Sequence, residues 1–163
     1  LDVIKNFIKQ AKDSNLLVKL DTNGLHPDEI SEIIDDLDYV AMDIKAPLDK
    51  YYKISDIYPS NTKETINRTI EIILEHNVFL ECRTTYVPQL LTPQDIYDLT
   101  KDLKCDMYTI QQFRNRVTYD SRLADYEEPN PEELLKIIKS LDTTIPEIHI
   151  KSNQFGNQII KKE

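Results

Sequence analysis

Leu16-Leu17-Val18-Lys19-Leu20-Asp21-Thr22-Asn23-Gly24 is an apolar run that ends on a carboxylate, a hydroxyl, an amide and a glycine. Tyr39-Val40-Ala41-Met42-Asp43-Ile44-Lys45 repeats the plan. Both read as short strands covered on both faces that emerge into loops carrying polar groups. Helical patterns separate them. Val3, Ile4, Phe7, Ile8 and Ala11 keep three-and-four spacing before the first strand. Pro27 and Asp28 open a helix carrying Ile30, Ile33, Ile34 and Leu37 before the second.

The alternation continues outward. Glu64 to His76 reads as a helix, Val78 to Val87 as a strand stopped by Pro88, and Thr92-Pro93-Gln94-Asp95 as the N-cap of a helix on Ile96, Leu99 and Leu103. Met107 to Phe113 is the next strand, Asn130-Pro131-Glu132-Glu133 caps a helix through Leu141, and Ile148-His149-Ile150 reads as the last strand. Leu48 to Asn61, with Tyr51, Tyr52 and Tyr58, is the longest irregular stretch, either functional or a solvated insertion. Arg114 to Glu128 is polar and irregular. No Asn-Gly hairpin joins two strands, so alternation of strand and helix implies a parallel sheet with right-handed crossovers. About four to five strands cannot close an eight-stranded barrel. The expected fold is therefore α/β, a parallel-stranded partial (β/α) barrel, with an open doubly wound sheet as the alternative.

Composition narrows the function. With 163 residues the chain reads as one domain, and its 40% hydrophobic and 30% charged residues suit a globular protein without a membrane span. A net charge of -9 argues against nucleic acid and anionic membranes as partners. The absence of a secretory pattern at Leu1 to Ala11 points to the cytoplasm. Cys82 and Cys105 are too few for a disulfide framework or a closed metal site, and Cys82 on a strand reads as core. The two glycines, Gly24 and Gly156, leave no phosphate-cradling loop. Gly24, just past a strand, marks a tight turn or a close approach.

Asp21, Asp43, Arg83 and Gln111 fall in order on the carboxyl rim of the expected sheet, where binding and catalytic groups collect. Asp43 and Lys45, two residues apart, leave the same face and suit a zwitterionic or hydroxylated ligand, or form an ion pair of their own. Asp21 with Thr22 and Asp43 offers oxygen ligands for a cation, or an acid and base pair. Arg83, mid-strand, needs an acceptor: Glu81 on its own strand or the carboxylate of a ligand. Gln111-Gln112-Phe113 either bonds a base or ribose or is a solvated strand end. His26, His76 and His149 share no spacing, and no nucleophile pairs with them.

In this order and spacing Asp21-Thr22-Asn23-Gly24, Met42-Asp43-Ile44-Lys45-Ala46, Arg83-Thr84-Thr85 with Val87-Pro88, and Gln111-Gln112-Phe113 resemble the later strands of radical S-adenosylmethionine activating enzymes. The likeness is greatest to activators of anaerobic ribonucleotide reductase and of pyruvate formate-lyase, and the Gln111-Gln112-Phe113-Arg114 text favours the former. It spans Leu1 to Arg114. The resemblance implies an incomplete barrel holding a [4Fe-4S] cluster and S-adenosylmethionine, an oxidoreductase that abstracts hydrogen from a glycine of a glycyl radical enzyme, and an electron donor such as flavodoxin or ferredoxin. It makes Asp43, Lys45 and Asn23 contacts to S-adenosylmethionine, Arg83 a support of its methionyl end, and Gln111 and Phe113 the border of its adenosine. Asp21, Thr22 and Asp43 become ligands of a monovalent cation. The family's CxxxCxxC and Gly-Gly-Glu-Pro strings are absent, so the chain is expected to be the C-terminal part of such an enzyme, with no iron-sulfur ligands or catalytic residue of its own and inactive alone. It is also expected to dimerise through an open sheet edge. Two other classes compete: a small metal- or sugar-binding α/β isomerase or hydrolase using Asp21 and Asp43, and a non-catalytic interaction domain derived from a barrel.

Overall fold

The computed structural model describes residues 1–54, 58–116, 118 and 120–162. Residues 55–57 of the tyrosine-rich loop, and 117 and 119 of the polar segment before Glu128, lie outside the described residues. The helices are α1 (Asp2–Asp13), α2 (Pro27–Ser31), α3 (Thr62–Glu75), α4 (Pro93–Lys101) and α5 (Pro131–Lys139). The strands are β1 (Lys19–Thr22), β2 (Tyr39–Asp43), β3 (Phe79–Tyr86), β4 (Met107–Gln112), β5 (Glu147–Ser152) and β6 (Gly156–Lys162). They form one sheet in the order β1-β2-β3-β4-β5-β6, parallel from β1 to β5, with β6 antiparallel beside β5. The α/β partial-barrel reading holds.

Register explains the two faces. Val40 lies beside Leu80, Met42 beside Cys82, Cys82 beside Tyr108, and Tyr108 beside Ile148, so these side chains share one face. They join Ile30, Ile66, Ile73, Ile96, Leu134 and Ile138 from the helices in one buried cluster. The other face carries Asp21, Tyr39, Asp43, Glu81, Arg83, Thr109, Glu147 and His149. The strands expected to be covered by apolar packing on both faces are thus covered by helices on one. The opposite face is polar: along β3, Glu81, Arg83 and Thr85 alternate with the buried Leu80, Cys82 and Thr84.

Four local readings are corrected. The helix expected over Ile30 to Leu37 stops after Ser31, and Ile33 (φ -127, ψ -3) starts a separate 3-10 turn at Ile34–Asp36. The break lets the adjacent Ile33 and Ile34 both turn inward, at 5% and 1% exposure. β1 begins at Lys19 rather than Leu16, leaving Leu16 and Leu17 exposed. Part of the irregular stretch, Leu48–Lys53, is a 3-10 helix that buries Tyr51 edge-on against Tyr58. A hairpin absent from the sequence reading joins β5 to β6 across Asn153, Gln154 and Phe155.

The two capped helices form as their sequences dictate. Thr92 Oγ1 accepts the Asp95 amide while Asp95 accepts the Thr92 amide, with Pro93 in the first turn of α4. Asn130 accepts the Glu132 amide at the start of α5.

Candidate functional site

The carboxyl ends of β1, β2 and β3 bring Asp21, Asp43 and Arg83 together. Asp43 lies directly beside Arg83 in the β2–β3 register, and β1 is the next strand over. Arg83 donates through Nε and Nη2 to Asp43 Oδ1, at 3.0 and 2.9 Å, and Nη1 lies 2.6 Å from Asp21 Oδ1. One guanidinium therefore spans two carboxylates, the fork geometry that suits arginine. Burial alone would lower the arginine pKa, but Asp43 and then Asp21 outweigh it and hold it raised. The protein carboxylates that accept from Arg83 come from the neighbouring strands, and Glu81 on its own strand is not among them. Glu81 instead accepts from Tyr39 Oη at 2.9 Å and Thr109 Oγ1 at 2.6 Å.

These bonds extend into a network along the polar face. Tyr39 stacks on Phe79 at 5.0 Å, the Lys19 ammonium sits 5.4 Å from the Tyr39 ring, and Lys19 Nζ is 3.5 Å from Asp21 Oδ2. Burial, and then the Glu81 carboxylate, push the Tyr39 phenol well above its ordinary range. Further along, His149 Nε2 lies 2.6 Å from Glu147 and Nδ1 lies 3.2 Å from Asn157 on β6. Sequence reasoning missed Tyr39, Thr109 and Lys19. The signal that could have found them is the odd-numbered parity they share with Asp43 and Arg83.

The remaining expected site residues sit around this core. The ladder continues one residue past β2, where Ile44 donates to the Arg83 carbonyl and accepts from Thr84 Oγ1. Lys45 follows, its amide donating to Tyr51 Oη at 3.0 Å. Its ammonium makes no ion pair with Asp43 or any other described residue. Asp43 Oδ2 is likewise left over, because Arg83 uses Oδ1 twice. Thr22 Oγ1 accepts the Gly24 amide and Asn23 Oδ1 accepts the Leu25 amide, so both side chains shape the turn after β1. Gln111 lies two strands from Asp43 at the end of β4, with Thr85 Oγ1 at 3.5 Å, and Phe113 is buried beyond it. Among the described residues no group of three or more His, Cys, Asp or Glu is placed to hold a metal ion.

Cys82 and Cys105 are at the wrong face for the rim. Both are buried in the apolar cluster, and the Cys105 hydrogen bond and burial drive the Cys82 thiol well above its ordinary range. Among the described residues no helix is long and apolar enough to cross a membrane.

Comparison with known proteins gives one relative to set beside this geometry. Over 156 residues the chain is 36% identical to a protein of Methanocaldococcus jannaschii provisionally named a glycyl-radical enzyme activating enzyme. The chain is similar to that protein over nearly all of its own length. The match takes in 93% of this chain and 65% of that protein's length, so the chain spans less than two thirds of its relative. No family model matches. The radical S-adenosylmethionine family read from Asp21 to Gly24, Met42 to Ala46 and Arg83 to Thr85 agrees with this relationship.

Proposed function

We propose that the carboxyl rim built by Asp21, Asp43, Lys45 and Arg83 binds S-adenosylmethionine, and that the whole activating enzyme uses it to make a glycyl radical on a partner enzyme. The observation that carries this reading is the convergence of three adjacent strand ends on one charged cluster, in a chain related to an activating enzyme. Lys45 brings an ammonium with no ion pair among the described residues, suited to the ligand's carboxylate. Asp43 Oδ2, left over from the Arg83 bond, suits its amino group. Arg83 fixes the Asp43 carboxylate, and Gln111 with Phe113 and Asn23 borders the rest of the ligand. A monovalent cation at Asp21, Thr22 and Asp43 would share their oxygens with Arg83, so guanidinium and cation are alternatives for the same charge.

A [4Fe-4S] cluster supplies the electron for cleaving this ligand in such enzymes, delivered by a donor such as flavodoxin or ferredoxin. The cysteines present do not fit it: a cluster needs several thiolates, and Cys82 and Cys105 are both buried away from the rim with Cys82 held toward the thiol form. No step of the cleavage is assigned to this chain, which binds the ligand without breaking it.

The test is titration of S-adenosylmethionine into the chain by calorimetry, followed by anaerobic incubation with dithionite. Saturable binding is expected, weakened by about tenfold or more in Lys45→Ala, with Lys104→Ala unchanged and no 5′-deoxyadenosine formed. No binding, or binding indifferent to Lys45, would overturn the assignment of the rim. Release of 5′-deoxyadenosine by the chain alone would overturn the statement that cleavage needs thiolates from elsewhere.

A further inference from the structure

A second polar cavity, of about 470 Å³, opens beyond the carboxyl ends of β4 and β5, lined by Arg114, Asn115, Arg116, Glu128 and Asn153. Its walls are held from beneath. Phe113 is buried at the root of the Arg114 segment, Gln112 Nε2 donates to the Pro129 carbonyl at 3.0 Å, and Gln112 Oε1 accepts the Asn153 amide at 2.9 Å. Asn115 is tied twice, its amide to Glu128 Oε1 and its side-chain Nδ2 to the Tyr126 carbonyl, both at 3.1 Å. The backbone around the cavity is thus tied down by these bonds.

The arginines stand apart from the rest of the molecule. The chain has 29 acidic and 20 basic residues, and its other arginines, Arg68, Arg83 and Arg122, each hold an aspartate. Arg114 and Arg116 make no ion pair or hydrogen bond with any described residue, although Glu128 lines the same cavity. Glu128 is turned to the Asn115 amide instead. Two guanidiniums without a partner among the described residues, lining one small space in an acidic protein, suit an anion from outside, and a pair of forks matches the several oxygens of a phosphate.

We infer that Arg114 and Arg116, with the Asn153 side-chain amide and the second N–H of Asn115 Nδ2 beside them, bind a phosphate group, either free or carried on a nucleotide. The site is separate from the Asp43 and Arg83 cluster and stands or falls independently of the function proposed above. Glu128 on the wall weakens the attraction, so its neutralisation strengthens binding.

The experiment is an NMR titration of the chain with inorganic phosphate at constant ionic strength, repeated with adenosine monophosphate and with adenosine. Saturable shifts confined to the amides of Asn115, Arg116 and Asn153 are expected. They should weaken by about tenfold or more in the Arg114→Gln, Arg116→Gln double variant and tighten in Glu128→Gln. Tighter binding of the monophosphate than of inorganic phosphate, with adenosine inert, assigns the group to a nucleotide; equal binding of the two phosphates assigns it to free phosphate. Shifts that never saturate, or that survive in the double variant, would overturn the site. Both substituted arginines are exposed, so the fold is expected to tolerate the change.

Discussion

A Cβ on Gly24 would fall 2.6 Å from the Met42 sulfur and 3.4 Å from Met42 Cγ, in a backbone conformation of φ +75 that side chains avoid. The turn there is fixed from both directions: Thr22 Oγ1 accepts the Gly24 amide and the buried Thr69 hydroxyl donates to the Gly24 carbonyl at 2.8 Å. Gly156 has a similar φ of +64 but nothing within 4 Å of an added Cβ. Gly24→Ala is therefore expected to cost about 2 to 3 kcal/mol, and Gly156→Ala about 1 kcal/mol, the difference being the collision with Met42. Urea unfolding of the two variants measures it, and equal losses would remove the close approach as the reason for glycine at position 24. At this scale the sequence exposed Asp21 and Asp43, because a polar residue closing an apolar run is a local pattern, and Arg83, because a charge inside a strand demands an acceptor. It did not expose their mutual pairing. That depends on Asp43 standing beside Arg83 across two strands, a register that exists only in the assembled sheet and is visible in no single segment.

Helix α4 shows an element whose beginning is written entirely in four residues, Thr92 to Asp95, and then reinforced from a distance. Lys50 Nζ reaches Asp95 Oδ1 and Asp98 Oδ2, each at 2.9 Å, tying the segment after β2 to the first turns of α4. The Asp95 side chain is 2% exposed. Burial would raise its pKa, but the Thr92 amide and the Lys50 ammonium outweigh that and hold the carboxyl well below its usual range. A carboxyl lowered in the folded state stabilises fully above its unfolded pKa, about 4, and loses that stabilisation as pH falls through the lower native value. Asp95→Asn is expected to cost about 1 to 2 kcal/mol at neutral pH. The gap from the parent should narrow steadily once pH drops below about 4; urea midpoints across that range read it, and a gap that stays constant would remove the ionised carboxyl from the cap. The β5–β6 hairpin was illegible by contrast. Its turn contains no two-residue Asn-Gly signal, and its register shifts between Ile148 and His149. The ties that hold it, such as His149 to Asn157, are cross-strand contacts rather than sequence neighbours.

For the whole molecule the unequal edges of the sheet decide the behaviour in solution. β1 pairs with β2 on one side only, leaving the outer amides and carbonyls of Lys19–Thr22 without a strand partner. Before it in sequence lies the least covered apolar surface among the described residues: Val3, Phe7 and Leu17 are 82%, 70% and 84% exposed, and Leu16 and Leu17 run directly up to the strand. An open edge next to such a patch favours pairing with a second copy of the chain. The brevity of β1 and its Lys19 and Asp21 charges oppose it, as does the repulsion of a net charge of -9 on each copy. Salt screens the repulsion between copies and leaves the apolar contact intact. The expected outcome is a monomer and dimer equilibrium that moves toward dimer as salt or protein concentration rises, read by light scattering. The Phe7→Glu, Leu17→Lys variant should remain monomeric throughout, since both positions are exposed and neither change disturbs the core. A parent chain that stays monomeric at high salt would show that the brevity and the charges of β1 protect the edge on their own.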